Sequence, residues 1–212
     1  MIKVENIKVF NIDGAIMGMR NPMNSWDKSD SRIYNNEAYV IGKNDLDLMK
    51  RLYQAGTEHR KYLRQIFVCM HIMAPLYWWK EFDTYKVGVT SDSCSTMHTI
   101  HKKEFELDDF SYEHLENFNG FSETTNFYEW FVDTIEKLNV ARRLYISTGD
   151  KRYWWQLIQL LPSSYNQKRT ITMNYENVVN IINQRQGHKL DEWNEFCNVL
   201  KGLPYIKEIM EE

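Results

Sequence analysis

Apolar positions along the chain change their period several times. Between residues 2 and 12, Val4, Ile7, Val9 and Phe10 recur in rough alternation and stop at Asp13-Gly14, which predicts a strand and then a turn. Asn44-Asp45 opens a helix whose Leu46, Met49, Leu52 and Tyr53 fall at helical spacing, with Gly56 as its stop. The run RQIFVCMHIMA, residues 64–74, is short and apolar like a buried strand. Pro75 suits the first turn of the short helix expected over PLYWWKEFD. Residues 85–93, YKVGVTSDS, read as extended and turn-rich, the kind of stretch that often holds sites.

The second half of the chain is helical by the same measure. Phe127, Trp130, Phe131, Ile135 and Leu138 form a helix-period stripe within residues 124–146, and Arg142-Arg143 lie near its end, where the helix dipole favours cations. Further helices are predicted over 151–161, ending before Pro162, over 174–184 and over 191–200. In the last two, Val178, Ile181 and Ile182, and then Trp193, Phe196 and Val199, supply the apolar faces, and Gly187 and Gly202 the stops. The polar segment 21–36 is expected to be a surface loop with Arg20 at its start facing solvent, and the acidic stretch 104–116 a solvated segment. No repeat, low-complexity run or Gly/Ser linker divides the chain, so one α/β domain spanning residues 1–212 is expected.

Composition narrows the classes. With 43% apolar and 26% charged residues the chain has the make-up of a folded protein, and 7 Trp, 13 Tyr and 10 Phe suggest a bulky core or aromatic recognition surfaces. A formal net charge of −3 argues against general nucleic-acid binding, which needs many phosphate-facing cations, but leaves room for a site taking one nucleotide. Three scattered cysteines, Cys69, Cys94 and Cys197, fit a reducing compartment better than a disulfide scaffold. No apolar signal core or stretch near the length of a membrane span is seen, so a cytoplasmic protein without membrane attachment is expected.

Two local constellations could carry chemistry. Cys94, in SDSCSTMH, has Asp92 and His98 within four residues; a turn of helix would let His98 favour the thiolate, but the simpler reading is an inert small residue in a tight turn. His98, His101 and Glu104 follow at intervals of three and could share a helix face as metal ligands, against which Lys102-Lys103 add two like charges. No GxGxxG, phosphate-binding P-loop or GxSxG elbow is present, so any cofactor must be held by another architecture.

Two longer segments are similar to one family. Residues 71–98, HIMAPLYWWKEFDTYKVGVTSDSCSTMH, resemble the flavin-dependent thymidylate synthase segment in which a strand leads into Pro-Leu, a helix bearing Gln, and then RHRxxSxNExSxR. Counted from Pro75, Glu81 falls at the Gln, Thr84-Tyr85-Lys86 at Arg-His-Arg, Ser91-Asp92 at Asn-Glu, Cys94 at the second Ser and Thr96 at the last Arg. Upstream, LMKRLYQAG resembles the helix and glycine that precede this strand. Residues 160–185, LLPSSYNQKRTITMNYENVVNIINQR, are similar to the family's Leu-Pro, the step to Asn and the helix ending in Leu-Arg, with Asn174, Asn180 and Arg185 at ligand positions. Glu176 and Ile158 stand where arginines would face the flavin and the nucleotide phosphate, and Trp193 matches a tryptophan further on.

The resemblance implies an α/β (α+β) fold with a central, mostly antiparallel sheet packed with helices. It implies FAD as cofactor, NADPH and methylenetetrahydrofolate as co-substrates, dUMP methylation as reaction, and a homotetramer with sites shared between subunits. Residue by residue, it assigns Arg185, Asp92 and Cys94 to catalysis, Tyr85, Lys86, Asn174 and Asn180 to the cofactor, and Glu81, Asp92, Cys94 and Arg185 to the substrate. For Asn174 and Asn180, helix capping or a solvent-facing amide competes with ligand binding. The family's arginines are absent at Thr84, Thr96, Ile158 and Glu176, and planar guanidinium forks bind phosphate through paired charge-assisted bonds, so an anionic ligand needs other cations. Lys80, Lys86, Arg152, Lys168 and Arg169 are available in the chain, and Tyr77, Trp78, Trp79 and Tyr85 could stack on a flavin or base unless they form core. Non-catalytic nucleotide binding on the same scaffold is the other reading.

Overall fold

The alternating N-terminal segment becomes β1 (Lys3–Phe10) in the computed structural model, which describes residues 2–34, 38–115 and 126–211. The helix α1 (Ile12–Arg20) follows, and then two short 3-10 turns lead to the hairpin β2 (Arg32–Tyr34) and β3 (Ala38–Val40). Next come α2 (Lys43–Gln54), β4 (Phe67–Pro75), α3 (Leu76–Phe82), β5 (Val89–Ser93) and α4 (Thr96–Thr99). The chain ends in α5 (Phe127–Thr148), α6 (Lys151–Leu160), β6 (Asn166–Asn174), α7 (Tyr175–Arg185), α8 (Asp191–Lys201) and α9 (Ile206–Met210). A four-stranded sheet of order β1-β4-β6-β5 forms the centre of a mixed α/β fold, antiparallel and packed by helices as expected.

Two compact units are distinguished within the chain, and β4, β5 and β6 each pass from one to the other. The first comprises residues 1–3, 73–84 and 92–169. Its core is built on the α5–α6 hairpin, where Phe131, Ile135, Leu138 and Ala141 of α5 meet Leu157 of α6 with Ile100, Phe105 and Phe110. Two sequence expectations are corrected here. In the α5 stripe, Phe127 and Trp130 are 53% and 68% exposed, because the buried positions 131, 135, 138 and 141 turn them away from the core. The acidic segment, whose last residue Glu116 lies outside the described residues, is not simply solvated: Phe105 and Phe110 anchor it in the core. The expected start of α5 at Thr124 also lies outside the described residues; in the structure Asn126 caps Phe127–Thr148 by accepting the N–H of Glu129.

The second unit comprises residues 4–72, 85–91 and 170–212. Val68, Met70 and Ile72 of β4, Val178, Val179, Ile181 and Ile182 of α7, and Trp193, Phe196 and Leu200 of α8 are all buried. Arg20 is not the solvent-facing cation that the sequence suggested. It is 4% exposed, and its Nε–H donates to Oδ1 of the fully buried Asp45 at 2.6 Å. The other oxygen of Asp45 accepts the hydroxyls of Ser29 and Ser31 and the N–H groups of Asp30 and Ser31. A carboxylate taken out of water requires such a set of donors, and here that requirement folds the polar segment back onto the first turn of α2. The predicted featureless loop is therefore an anchored one, with residues 35–36 of that prediction outside the described residues.

Candidate functional site

Helix α7 organises the candidate site of the second unit. Asn174 caps it: its side-chain oxygen accepts the N–H of Asn177 at 3.0 Å, while the Asn177 oxygen accepts the N–H of Asn174. Asn177 also donates from Nδ2 to the carbonyl of Val87 at 2.8 Å, which fastens residues 85–91 along this side of the helix. Gly88 lies against the cap with φ +73°, and a Cβ there would come within 2.7 Å of Asn174 Nδ2, so both conformation and space call for glycine.

At the other end of α7 the chain brings Tyr85 and Arg185 together. Arg185 donates from Nε to the Tyr85 hydroxyl at 2.9 Å, and that hydroxyl donates to Oε1 of Gln184 at 3.0 Å. The guanidinium sits 4.5 Å from the centre of the Trp193 ring and 5.6 Å from that of Tyr85, an aromatic seat that fixes a planar cation. His188 completes the surroundings, with Nε2 at 3.3 Å from Arg185 Nη1 and Nδ1 accepting the N–H of Leu190. Three rings, Trp193, Tyr85 and His188, thus surround one half-buried guanidinium, which suits it to the carbonyl or phosphate oxygens of a ligand.

Another face of α7 carries a second charge cluster. Glu176 accepts from Nε of Arg60 and from Arg64, and Arg60 also donates to Oδ1 of Asn180 at 3.4 Å while lying 5.5 Å over the Tyr53 ring. Burial alone would raise the Glu176 carboxyl, but the hydrogen bonds and charges of Arg64 and Arg60 outweigh it and hold the group below its ordinary range. A cavity of about 730 Å³ opens beside Arg60, lined also by Tyr53, Gln54, Gly56, Asn183, Met210 and the carboxylate residue Glu211. At about 100° per residue, Glu176 and Arg185 point half a turn apart on α7.

The Asp45 and Glu176 carboxyls are both depressed in the folded chain. For Asp45 desolvation opposes ionisation most strongly, and the bonds from Ser31, Ser29 and Arg20 overcome it. A depressed carboxyl stabilises the fold above its unfolded value, near 3.8 for Asp and 4.5 for Glu, and loses that contribution as pH falls through the folded value. The urea midpoint should therefore hold from pH 7 to 5 and fall below about pH 4, with Glu176→Gln flattening part of the acid limb. A midpoint that rises on acidification would contradict the assignment.

The remaining predicted residues lie as follows. Lys86 is exposed beside Tyr85 in the second unit. Within the first unit, Glu81 is half-buried on α3, and Asp92 and Cys94 are exposed on and just after β5. Cys94 Sγ lies 3.7 Å from Thr99 Oγ1, and His98 gives its backbone N–H to the Ser95 hydroxyl. The helix that would set His98, His101 and Glu104 on one face does not form, since α4 ends at Thr99, and among the described residues no group of three His, Cys, Asp or Glu could hold a metal ion.

Several positions that the sequence offered as ligands have other work. Trp78 and Trp79 are fully buried and pack on Phe82, so they belong to the core. Ile158 packs against the α5–α6 core. Arg152 pairs with Asp150, and Arg169 pairs with Asp83 over the Trp79 ring. The cations that face Glu176, Arg60 and Arg64, are missed in the sequence, where Arg60 falls in no predicted element and Arg64 in the strand run 64–74.

The fold belongs to a recognisable class. It is that of the flavin-dependent thymidylate synthases, a mixed α/β fold around an antiparallel sheet. The chain is similar over its whole length to thymidylate synthase X (ThyX) of Helicobacter pylori with FAD and dUMP, at a TM-score of 0.69 and 17% identity, with 100% of each chain covered. A second structure of that enzyme complexed with FAD and dUMP gives 0.67 and 16%, covering 97% of this chain and 98% of the other. The UMP/dUMP methylase PolB of Streptomyces cacaoi, bound with 5-Br dUMP, gives 0.61 and 12%, covering 95% and 88%. No family model and no curated protein matches the sequence. Among the described residues no helix is long and apolar enough to cross a membrane.

Proposed function

We propose that this protein binds a pyrimidine deoxynucleotide of the dUMP type and, with FAD, transfers a one-carbon unit or hydride to it. The observation that carries this reading is Arg185, the position that the family resemblance assigns to the pyrimidine, seated on Trp193 and bonded to Tyr85. Arg185 would hold the base through its fork, with Tyr85 keeping the guanidinium in plane. Tyr85 thus serves the substrate arginine, a different duty from the cofactor contact that the resemblance assigned to it. Asp92 and Cys94 are the substrate-side candidates of the first unit, with Glu81.

The residues of α7 fit a flavin. Asn174 and Asn180 each engage their amide oxygen within the protein, and among the described residues neither NH2 has a partner, so both are donors suited to the carbonyls and phosphates of FAD. Arg60 and Arg64 both engage Glu176, and Arg60 lines the cavity along with Glu211, so these guanidiniums could turn from a carboxylate to the oxygens of a flavin. FAD would supply a hydride-accepting ring, NADPH the reductant and methylenetetrahydrofolate the one-carbon unit. Asn180 and Arg185 lie on different faces of α7, which accords with sites shared between chains, and the resemblance gives that assembly as a homotetramer. A cytoplasmic setting accords with the reducing chemistry.

Purified protein is expected to be yellow, with flavin absorbance near ~450 nm and bound FAD released on denaturation. Colourless protein that takes up no added FAD would remove the flavoenzyme reading. The second reading, nucleotide binding without catalysis, is favoured by Ile158, Arg152 and Arg169, which leave the phosphate arginines without replacement at those positions. It predicts colourless protein whose melting temperature still rises with dUMP.

A further inference from the structure

One buried residue that ties down the Cys94 turn has no role assigned above. Gln167 of β6 is a polar side chain only 8% exposed, and a buried amide is stable only when its polar ends find partners. Its Nε2–H donates to the carbonyl of Cys94 at 2.9 Å, while the N–H of Cys94 donates to the carbonyl of the next residue, Lys168, at 3.0 Å. Both backbone polar groups of Cys94 are thus tied to two successive residues of β6, and the thiol itself is left exposed.

The two ends of a glutamine amide are chemically different, and the neighbours decide which faces which. Arg169 donates from Nε to Gln167 Oε1 at 2.9 Å, which leaves Nε2 as the end that faces Cys94. Arg169 is in turn immobilised: Nη1 donates to Asp83 at 2.7 Å, and its guanidinium lies 4.2 Å over the Trp79 ring, whose Nε1–H donates to the Gln167 carbonyl. Rotating the amide would set two acceptors against each other at Cys94 and two donors at Arg169.

We propose that Gln167, oriented by Arg169, is a positioning residue that holds the Cys94 turn in register for the nucleotide. This rests on the reading that Cys94 faces the substrate. It also gives Arg169 a duty other than holding a phosphate.

The test uses the full chain and Gln167→Glu, which keeps the shape and the acceptor for Arg169 but replaces the donor at Cys94 with a second acceptor. Site-resolved alkylation of Cys94 by iodoacetamide, read by mass spectrometry with Cys69 as internal control, should change by about five-fold or more, the equivalent of one lost hydrogen bond. Affinity for dUMP should fall by a similar factor of about five. Arg169→Met should move both readouts the same way, and Gln167→Met replaces Gln167→Glu if the latter does not fold. Cys94 alkylation within about twofold of wild type in these variants overturns the assignment. So does altered alkylation with unchanged dUMP affinity, which would make Gln167 a structural tie only. If wild-type protein binds no dUMP, the nucleotide reading falls, and with it the purpose assigned to the turn, while the alkylation result still reports whether Gln167 holds it.

Discussion

Arg185→Ala is expected to weaken dUMP binding by about 100-fold, because the fork would lose two charge-assisted bonds worth ~1.5 kcal/mol each at the least. Isothermal titration of wild type and variant reads this directly. Arg185 is half-buried on α7 and reaches across to Tyr85 and Trp193, so a control must separate ligand loss from local collapse. Tyr85→Phe is that control: it keeps the ring under the guanidinium and removes only the hydroxyl. Its loss of affinity should be smaller, about five- to tenfold, the cost of one orienting hydrogen bond. Equal affinity in wild type and Arg185→Ala would sink the nucleotide site at this end of α7.

Arg20→Ala should destabilise the fold by roughly 3–5 kcal/mol, the range found when one partner of a buried ion pair is removed and the other stays charged. For a chain of this size that corresponds to a melting temperature lower by on the order of 10 °C. Asp45 would keep four neutral donors on one oxygen and lose the cation on the other. The Asp47–Arg51 pair offers a built-in comparison, since it joins residues four apart on α2 with both side chains about two-thirds exposed. Arg51→Ala should change the melting temperature by no more than about 2 °C, because exposed pairs are screened by water and salt. Circular dichroism melts that gave the two variants equal losses would contradict the anchoring role of Asp45.

Much of the fold was legible in the sequence because helices and strands impose their period on apolar positions. The alternation up to Phe10 and the stripe of Val178, Ile181 and Ile182 became elements with nearly the expected bounds, whereas the run 64–74 became a strand that starts only at Phe67 and takes in Pro75, which caps the following helix instead of opening its first turn. The spacing from Leu-Pro to Asn174 and on to Arg185 survived as β6 and α7, since one inserted residue would have turned α7 by about 100° and moved its apolar face out of the core. The errors arose where a charged residue was judged by its sequence neighbours. Arg20 sits beside a polar segment, yet its partner Asp45 lies 25 residues on, and nothing local signals the pairing.

The candidate site divides in the same way. Arg185 and Trp193 were singled out by the family resemblance, but their contact, and the place of the Tyr85 hydroxyl between Arg185 and Gln184, come from the tertiary structure, with Tyr85 100 residues away in the chain. Likewise the resemblance put Glu176 where the family has an arginine, and only the fold supplied Arg60 and Arg64 to face it. Local periodicity and covalent spacing are properties of a segment, so the chain by itself determined the order of the elements and the register of α7. The partners of each ionisable side chain depend on which distant segments the core brings within hydrogen-bond reach, so tertiary structure alone decided that Arg20 and Arg169 are anchors and that Arg185 is seated on Trp193 and bonded to Tyr85.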